Sequence, residues 1–157
     1  MIIPDQGAVL RTSSILDRLG GGHDVARCVK KRDPNTGALS GFGLAEGDVT
    51  GRDCVIVDDI CDGGGTFSGI ASVLREHGAR AVALCVTHGV FSRGITIAGI
   101  DAVYCTDSYG VPNVEGFDVT DEDRDGVGVR VYRRAGEARA ALSVVTDFVG
   151  RMLRVRS

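Results

Sequence analysis

Two adjacent carboxylates, Asp58 and Asp59, precede a glycine-rich turn, residues 62–66, with the sequence Asp-Gly-Gly-Gly-Thr. Glycines let successive backbone N–H groups turn inward around an anion, and a helix that follows adds the positive end of its dipole. Ionised carboxylates only accept hydrogen bonds, so the acidic pair must face a donor such as the hydroxyls of a ribose, or a Mg²⁺ ion. The pattern predicts a sugar-phosphate site made of Asp58, Asp59, Asp62, Gly63, Gly64, Gly65 and Thr66.

The segments around this turn are predicted to be a buried strand and a helix. Residues 55–57 are branched and apolar, and an apolar-periodic segment runs from Phe67 to Gly78. Further apolar segments at 25–29, 81–86 and 102–105 predict more strands. Alternating strands and helices indicate a three-layer, Rossmann-like α/β fold, with a parallel sheet covered on both faces and a ligand at the carboxyl ends of its strands.

Composition limits the classes of function. The 157 residues fit one domain, and a net charge of -3 argues against broad nucleic-acid binding. No apolar run approaches the roughly 20 residues that span a bilayer, and the start of the chain lacks a signal-peptide pattern. We therefore expect a cytoplasmic protein that binds neither nucleic acid nor membrane.

The five cysteines form no Cys-x-x-Cys pair and fall mostly in predicted strands. They are expected to be reduced core residues rather than disulfides or zinc ligands. Cys61 is the exception, because it lies within the predicted pocket, and a nucleophilic role there is the less favoured alternative.

The glycine turn is not a P-loop, because no lysine follows it, and it lacks the glycine spacing of a dinucleotide-binding fingerprint. It resembles the phosphoribosyl-binding signature of the type I phosphoribosyltransferase fold, a superfamily that includes the phosphoribosyl pyrophosphate (PRPP) synthetases. The resemblance implies that Asp58 and Asp59 hold the ribose hydroxyls and that residues 62–66 hold the 5-phosphate.

A second motif, near the start of the chain, also resembles the PRPP synthetases. Residues 4–7, Pro-Asp-Gln-Gly, are similar to a PRPP synthetase loop that contacts pyrophosphate and its Mg²⁺. The resemblance implies that Asp5 is a metal ligand and that Gln6 and Gly7 belong to the pyrophosphate loop. A simple helix N-cap at Asp5 is an equally weighted alternative.

A basic triplet, residues 30–32, is followed by Asp-Pro and Asn-Thr-Gly, a pattern that indicates a loop or a hairpin. Alone, such a run is usually a solvated face. The PRPP synthetases carry a mobile catalytic loop with a basic start at this position, so the resemblance implies that Lys30 and Arg32 neutralise a transferring phosphoryl group. Lys31 competes with them, because the register is uncertain by one residue.

The segment 87–92, Thr-His-Gly-Val-Phe-Ser, resembles the PRPP synthetases rather than most phosphoribosyltransferases. His88 is expected to orient its loop through hydrogen bonds, with substrate contact as the alternative. The resemblance covers about residues 2–108. Beyond it we expect a divergent part with an acidic surface loop at 115–125, an edge strand at 127–132 and a helix at 136–153.

The function that the resemblance implies is that of the ribose 5-phosphate and PRPP-binding half of a PRPP synthetase. In such enzymes the anomeric hydroxyl of ribose 5-phosphate attacks the β-phosphorus of ATP with Mg²⁺. The family has a preceding N-terminal half, so we expect this chain to need such a half for full activity. Its expected protein partner is either that half or further copies of itself in a homo-oligomer. A stand-alone phosphoribosyltransferase and a non-catalytic regulatory subunit are the alternatives.

Overall fold

A computed structural model describes residues 1–18, 22–106, 108–109, 117–124 and 127–134. Its strands are β1 (Ile2–Ile3), β2 (Ala26–Arg32), β3 (Leu39–Glu46), β4 (Asp53–Cys61), β5 (Ala81–Gly89), β6 (Ala102–Thr106), β7 (Phe117–Arg124) and β8 (Val127–Arg134). Its helices are a 3-10 turn (Gln6–Ala8), α1 (Val9–Arg18) and α2 (Gly65–Glu76).

Within the described residues, the eight strands form one sheet in the order β3-β2-β1-β4-β5-β6-β8-β7. The five strands from β2 to β6 in this order are parallel to one another, whereas β3 at one end and β7 and β8 at the other are antiparallel. The predicted α/β class is therefore confirmed, with a mixed sheet that is parallel at its centre.

The two long helices lie on opposite faces of this sheet. Along β4, Cys54 and Ile56 belong to the hydrophobic cluster that contains α2, while Val55 and Val57 belong to the cluster contacted by Ile15 of α1. Burial on both faces explains why this strand is continuously apolar rather than alternating. The arrangement confirms the predicted three layers.

A single apolar stripe in the sequence accounts for helix α2. Its buried residues recur at helical spacing and are Phe67, Ile70, Ala71, Val73 and Leu74. Gly78 follows the helix with a φ of +83°, a conformation that suits glycine and ends the helix.

Several strands are longer than their apolar runs predict. β4 continues through the acidic pair to Cys61, because its ladder with β5 extends to the pairs Ile60–His88 and Cys61–Gly89. The apolar run at 55–57 therefore marks only part of β4, since backbone hydrogen bonds continue a parallel ladder whatever the side chains.

Of the loop and the hairpin that the sequence leaves open after residues 30–32, the structure has the hairpin, and the basic triplet itself belongs to its first strand. β2 continues to Arg32 and forms a hairpin with β3, with Lys30 opposite Phe42 and Lys31 opposite Gly41. β3 was not predicted, because two glycines interrupt its short apolar pattern.

The acidic segment at 115–125 is not simply a surface loop, since β7 occupies most of it. β8 pairs with both β6 and β7, so β7 rather than β8 is the edge strand. The register places Asp118 opposite Arg133 and Asp121 opposite Arg130. The predicted helix at 136–153 lies outside the described residues.

The part of the chain that the structure describes contains no helix both long enough and apolar enough to cross a membrane.

Arg75 and Asp101 connect the end of α2 to the starts of β5 and β6. The Arg75 guanidinium forms an ion pair with Asp101 and donates to the carbonyl of Arg80 at 2.6 Å. The Asp101 carboxylate also accepts the N–H of Val82 at 2.7 Å. One carboxylate thus satisfies donors from two elements.

Substitution of Asp101 tests this connection. Asp101→Ala should lower the free energy of unfolding by about 1.5–3 kcal/mol, because it leaves a guanidinium and a backbone N–H without their acceptor. Asp101→Asn should lower it less, since its amide oxygen can still accept from Val82. Urea unfolding followed by circular dichroism measures both. Asp17→Ala, at an exposed position of α1, is the control, and equal stability of the two alanine variants would contradict the prediction.

Candidate functional site

The candidate site lies where the strand order of the sheet reverses. From β1 the chain proceeds outward through β2 to β3, and it then returns to place β4 on the other side of β1. In open α/β sheets the crevice at such a switch point, beyond the carboxyl ends of the strands, is where ligands bind. Asp5 follows β1, Lys30 lies near the end of β2, and Asp58 lies near the end of β4.

A cavity of about 280 Å³ occupies this crevice. It is lined by Asp5, Lys30, Asp58, Ile60, Asp62, Gly63, Gly64, Gly65, Thr66, Phe67 and Arg93. Residues from the Pro-Asp-Gln-Gly motif, the basic triplet and the glycine turn, which are distant in sequence, therefore share one space.

A larger cavity of about 420 Å³ lies at the opposite edge of the sheet, by the amino ends of the strands, between Met1, Val49, Arg52 and Arg80. None of the predicted site residues lines it. Its lining charges are largely committed to ion pairs, Arg52 with Asp24 and Arg80 with Asp53. We therefore take the smaller cavity as the candidate site, because the predicted residues converge there.

The glycine turn presents the start of α2 to the cavity. Gly64 precedes the helix with a φ of +73°, and a Cβ there would lie 3.0 Å from Ile97 Cγ1, so both conformation and space require glycine. Among the residues that the structure describes, no side chain caps this helix start. The N–H groups of a first helical turn have no partners within the helix, so this end is suited to binding an anion.

The two carboxylates of the acidic pair are placed differently. Asp58 is half-buried, lines the cavity, and accepts the N–H of Asp59 at 2.9 Å. Asp59 is exposed and is not among the lining residues. Consecutive residues of a strand point to opposite faces, which accounts for the difference.

Asp5 has two partners in the protein. Its Oδ1 accepts the N–H of Ala8 at 3.2 Å and caps the 3-10 turn, so the N-cap interpretation is confirmed, while its Oδ2 lies 2.9 Å from Lys30 Nζ. Partial burial raises the pKa of Asp5, but the hydrogen bond and charge of Lys30, together with backbone N–H groups, outweigh it and hold the pKa below its usual value.

Magnesium fits this site only with help from the substrate. The described residues include no group of three or more His, Cys, Asp or Glu side chains arranged to hold a metal ion. Mg²⁺ commonly takes one or two protein carboxylates together with substrate phosphates. Asp5 supplies one such carboxylate, for which an ion would compete with Lys30. The role of Asp5 as a metal ligand stays a prediction.

Four predicted residues lie outside the lining. Gln6 accepts a hydrogen bond from Arg27 at 3.2 Å, and Arg32 donates to the Gly37 carbonyl at 3.1 Å within the β2–β3 hairpin. Lys31 packs its stem over Gly43, where a Cβ would lie 2.7 Å from Lys31 Cε. The cavity lining therefore excludes four predicted residues, Gln6, Gly7, Arg32 and Asp59. Of the basic triplet, only Lys30 lines the cavity.

His88 contacts the next strand end rather than the cavity. Its Nδ1 lies 2.8 Å from Ser108 Oγ, and the nearby Thr106 hydroxyl donates to the Thr87 carbonyl at 2.6 Å. These bonds connect the carboxyl ends of β5 and β6, as expected of a histidine that orients its loop.

Sequence reasoning missed Arg93, which reaches the cavity from a turn after β5. The N–H groups of Val90 and Phe91 both donate to the Cys61 carbonyl, at 2.9 and 3.1 Å. Phe91 has a φ of +48°, which costs about 1–3 kcal/mol in a residue other than glycine. Its buried ring makes an edge-on contact with Tyr132, with 6.4 Å between centroids, and this packing offsets the strain. The only sequence signal was a cation after a predicted strand end.

All five cysteines are buried, as predicted, and Cys61 is among them. Its side chain lies in the hydrophobic cluster on the α2 face and does not line the cavity. Burial, assisted by the nearby Asp62 carboxylate, raises the pKa of the Cys61 thiol to about 12. The alternative of a nucleophilic Cys61 was therefore wrong.

Reaction with a thiol reagent checks this placement. None of the five thiols should react with a disulfide reagent such as DTNB in the native protein at pH 8, because all are buried and the thiolate of Cys61 is scarce at that pH. All five should react in guanidinium chloride. A rapidly reacting native thiol that mapped to Cys61 would contradict this account.

Comparison with known proteins agrees with the motifs. The family described as the phosphoribosyl transferase domain matches residues 2–116. A ribose-phosphate pyrophosphokinase of Hyphomonas neptunium is 44% identical over 92 residues, which cover 59% of this chain and 28% of that protein. One from Granulibacter bethesdensis is 39% identical over 112 residues, covering 69% of this chain and 35% of that protein.

Among solved structures, the phosphoribosylpyrophosphate synthetase of Mycobacterium smegmatis matches with 37% identity and a TM-score of 0.47, covering 57% of this chain and 26% of that one. This chain thus spans about a third of the length of the curated relatives, 28% and 35% for the two named above. The sequence matches confirm the resemblance to the PRPP synthetases predicted from the motifs.

Proposed function

This chain belongs to the phosphoribosyl transferase domain family, and we propose that it is the ribose 5-phosphate and PRPP-binding half of a ribose-phosphate pyrophosphokinase. The observation that carries the proposal is one cavity that joins an uncapped, glycine-flanked helix start to the Asp58 carboxylate. An anion binder and a hydroxyl acceptor in one space match the two ends of a sugar phosphate.

In this proposal the 5-phosphate lies on the N–H groups of the glycine turn and the first turn of α2. Thr66, which lines the cavity, adds a hydroxyl donor. A phosphate there replaces the missing side-chain cap and lies at the positive end of the helix dipole.

The ribose hydroxyls are assigned to the two carboxylates of the acidic pair, with the larger contribution to binding from Asp58. Asp58 lines the cavity and accepts from the sugar directly. Asp59 is exposed outside the lining, so its contribution is proposed to be smaller. Neither carboxylate is placed on the phosphate, because at about 4 Å and an effective dielectric near 20 each pair of unit charges would repel by about 4 kcal/mol.

The proposed reaction transfers the pyrophosphoryl group of ATP to this sugar. The anomeric oxygen forms a bond to the β-phosphorus, the bond between that phosphorus and the α-phosphate oxygen breaks, and AMP leaves while the hydroxyl releases its proton. Lys30 lines the same cavity and is assigned to the transferring group, with Arg32 further along the hairpin. Mg²⁺, which Asp5 would hold, neutralises phosphate charge when bound.

Binding of ribose 5-phosphate tests the site. Isothermal titration should detect binding by the purified chain, and Asp58→Asn should weaken it roughly tenfold to a hundredfold, because a hydrogen bond to a charged acceptor is lost. Asp59→Asn should weaken it less. Asp17→Asn on α1 makes the same charge change away from the cavity and should have no effect. An absence of binding by the unaltered chain would contradict the proposal.

Turnover tests the need for a second half. Because the chain spans about a third of the length of its relatives, we predict that the purified chain with ATP, Mg²⁺ and ribose 5-phosphate releases little AMP, as measured by chromatography. Robust AMP release, with equal formation of PRPP, would show that no partner half is required.

A stand-alone phosphoribosyltransferase is the second candidate. The match of the phosphoribosyl transferase domain to residues 2–116 is compatible with this candidate. An enzyme of this kind would act without a partner half. Consumption of a nucleobase that depends on PRPP, without ATP, would support this candidate over the first.

A further inference from the structure

The charges around the cavity leave a phosphate short of counter-charge. Three carboxylates line it, from Asp5, Asp58 and Asp62, against two cations, Lys30 and Arg93. Lys30 already forms an ion pair with Asp5. A phosphoryl dianion that enters this space therefore meets a net negative lining, and the repulsion must be offset by backbone N–H groups together with a cation that is not already paired.

Arg93 is placed to be that cation. No carboxylate of the described chain forms an ion pair with it, although four other arginines, at positions 27, 52, 75 and 80, do form ion pairs. The stem of Arg93 lies against the glycine turn, since a Cβ on Gly63 would lie 3.3 Å from Arg93 Cδ and 3.5 Å from Nε. The guanidinium thus begins beside the N–H groups to which the phosphate is assigned.

The turn that carries Arg93 is anchored on both sides. The Cys61 carbonyl, just before the glycine turn, accepts from Val90 and Phe91, and Gly94 donates back to the Phe91 carbonyl at 2.8 Å. The Phe91 ring lies over Gly89, where a Cβ would lie 2.2 Å from Phe91 Cε2. Phe91 is held in its strained conformation by this packing, and retained strain of this kind is typical of functional loops.

We propose that Arg93 determines the specificity of this site, with its guanidinium contacting the phosphoryl group held at the start of α2. The inference rests on the proposed function and adds a residue to it. A planar guanidinium can donate two parallel hydrogen bonds to phosphoryl oxygens, which a lysine cannot reproduce. Arg93 makes the cavity select dianionic sugar phosphates over neutral sugars.

The test uses isothermal titration of the full chain with ribose 5-phosphate, at several salt concentrations. Arg93→Gln should weaken binding roughly tenfold to a hundredfold and flatten its dependence on salt, because a charge-assisted contact is lost. Arg93→Lys should recover part of the affinity and most of the salt dependence. Thermal melting checks that each variant is folded. Because Arg93 is exposed, we expect its substitution to leave the fold intact.

Arg52→Gln is the matched control, because it removes the same charge at the opposite edge of the sheet and should leave binding unchanged. If Arg93→Gln bound ribose 5-phosphate as tightly as the unaltered chain, the inference would be overturned and the proposed function would stand. If the unaltered chain bound no ribose 5-phosphate, the proposed function would fail and the inference with it.

Discussion

The site depends on one helix start that no side chain of the described part of the chain caps. Gly64 enters α2 in the left-handed conformation, pressed against Ile97, and this geometry directs the first turn of α2 at the cavity. Unpartnered N–H groups are costly in a protein interior and useful beside a ligand, because an anion can satisfy several of them at once. The longer β4, the double hydrogen bond to Cys61 and the packing of Phe91 all fix the backbone around this point.

The sheet gives that helix start its surroundings. β1 consists of two residues, yet it pairs with both β2 and β4 and so lies at the reversal of strand order. Asp5, just beyond β1, forms an ion pair with Lys30 of β2 and lines the same cavity as Asp58 of β4. Short as it is, β1 unites groups that are more than fifty residues apart in the chain.

The sequence predicted the features that depend on local pattern. The continuous apolar run before Asp58, the glycine turn and the apolar stripe of α2 each have a distinct composition, and together they located the cavity. The buried cysteines followed from their positions in predicted strands. Three features depended on tertiary contacts instead. β3 has a pattern broken by glycines, the acidic β7 is matched by register to the arginines of β8, and the position of Arg93 follows from the backbone of Phe91.

The most direct measurement is a crystal structure of the chain with ribose 5-phosphate bound. We expect the phosphoryl group on the N–H groups of residues 63–66, within reach of the Arg93 guanidinium, with a sugar hydroxyl on Asp58. A sugar phosphate found at the opposite edge of the sheet, or a glycine turn that stays empty at saturating ligand, would contradict it.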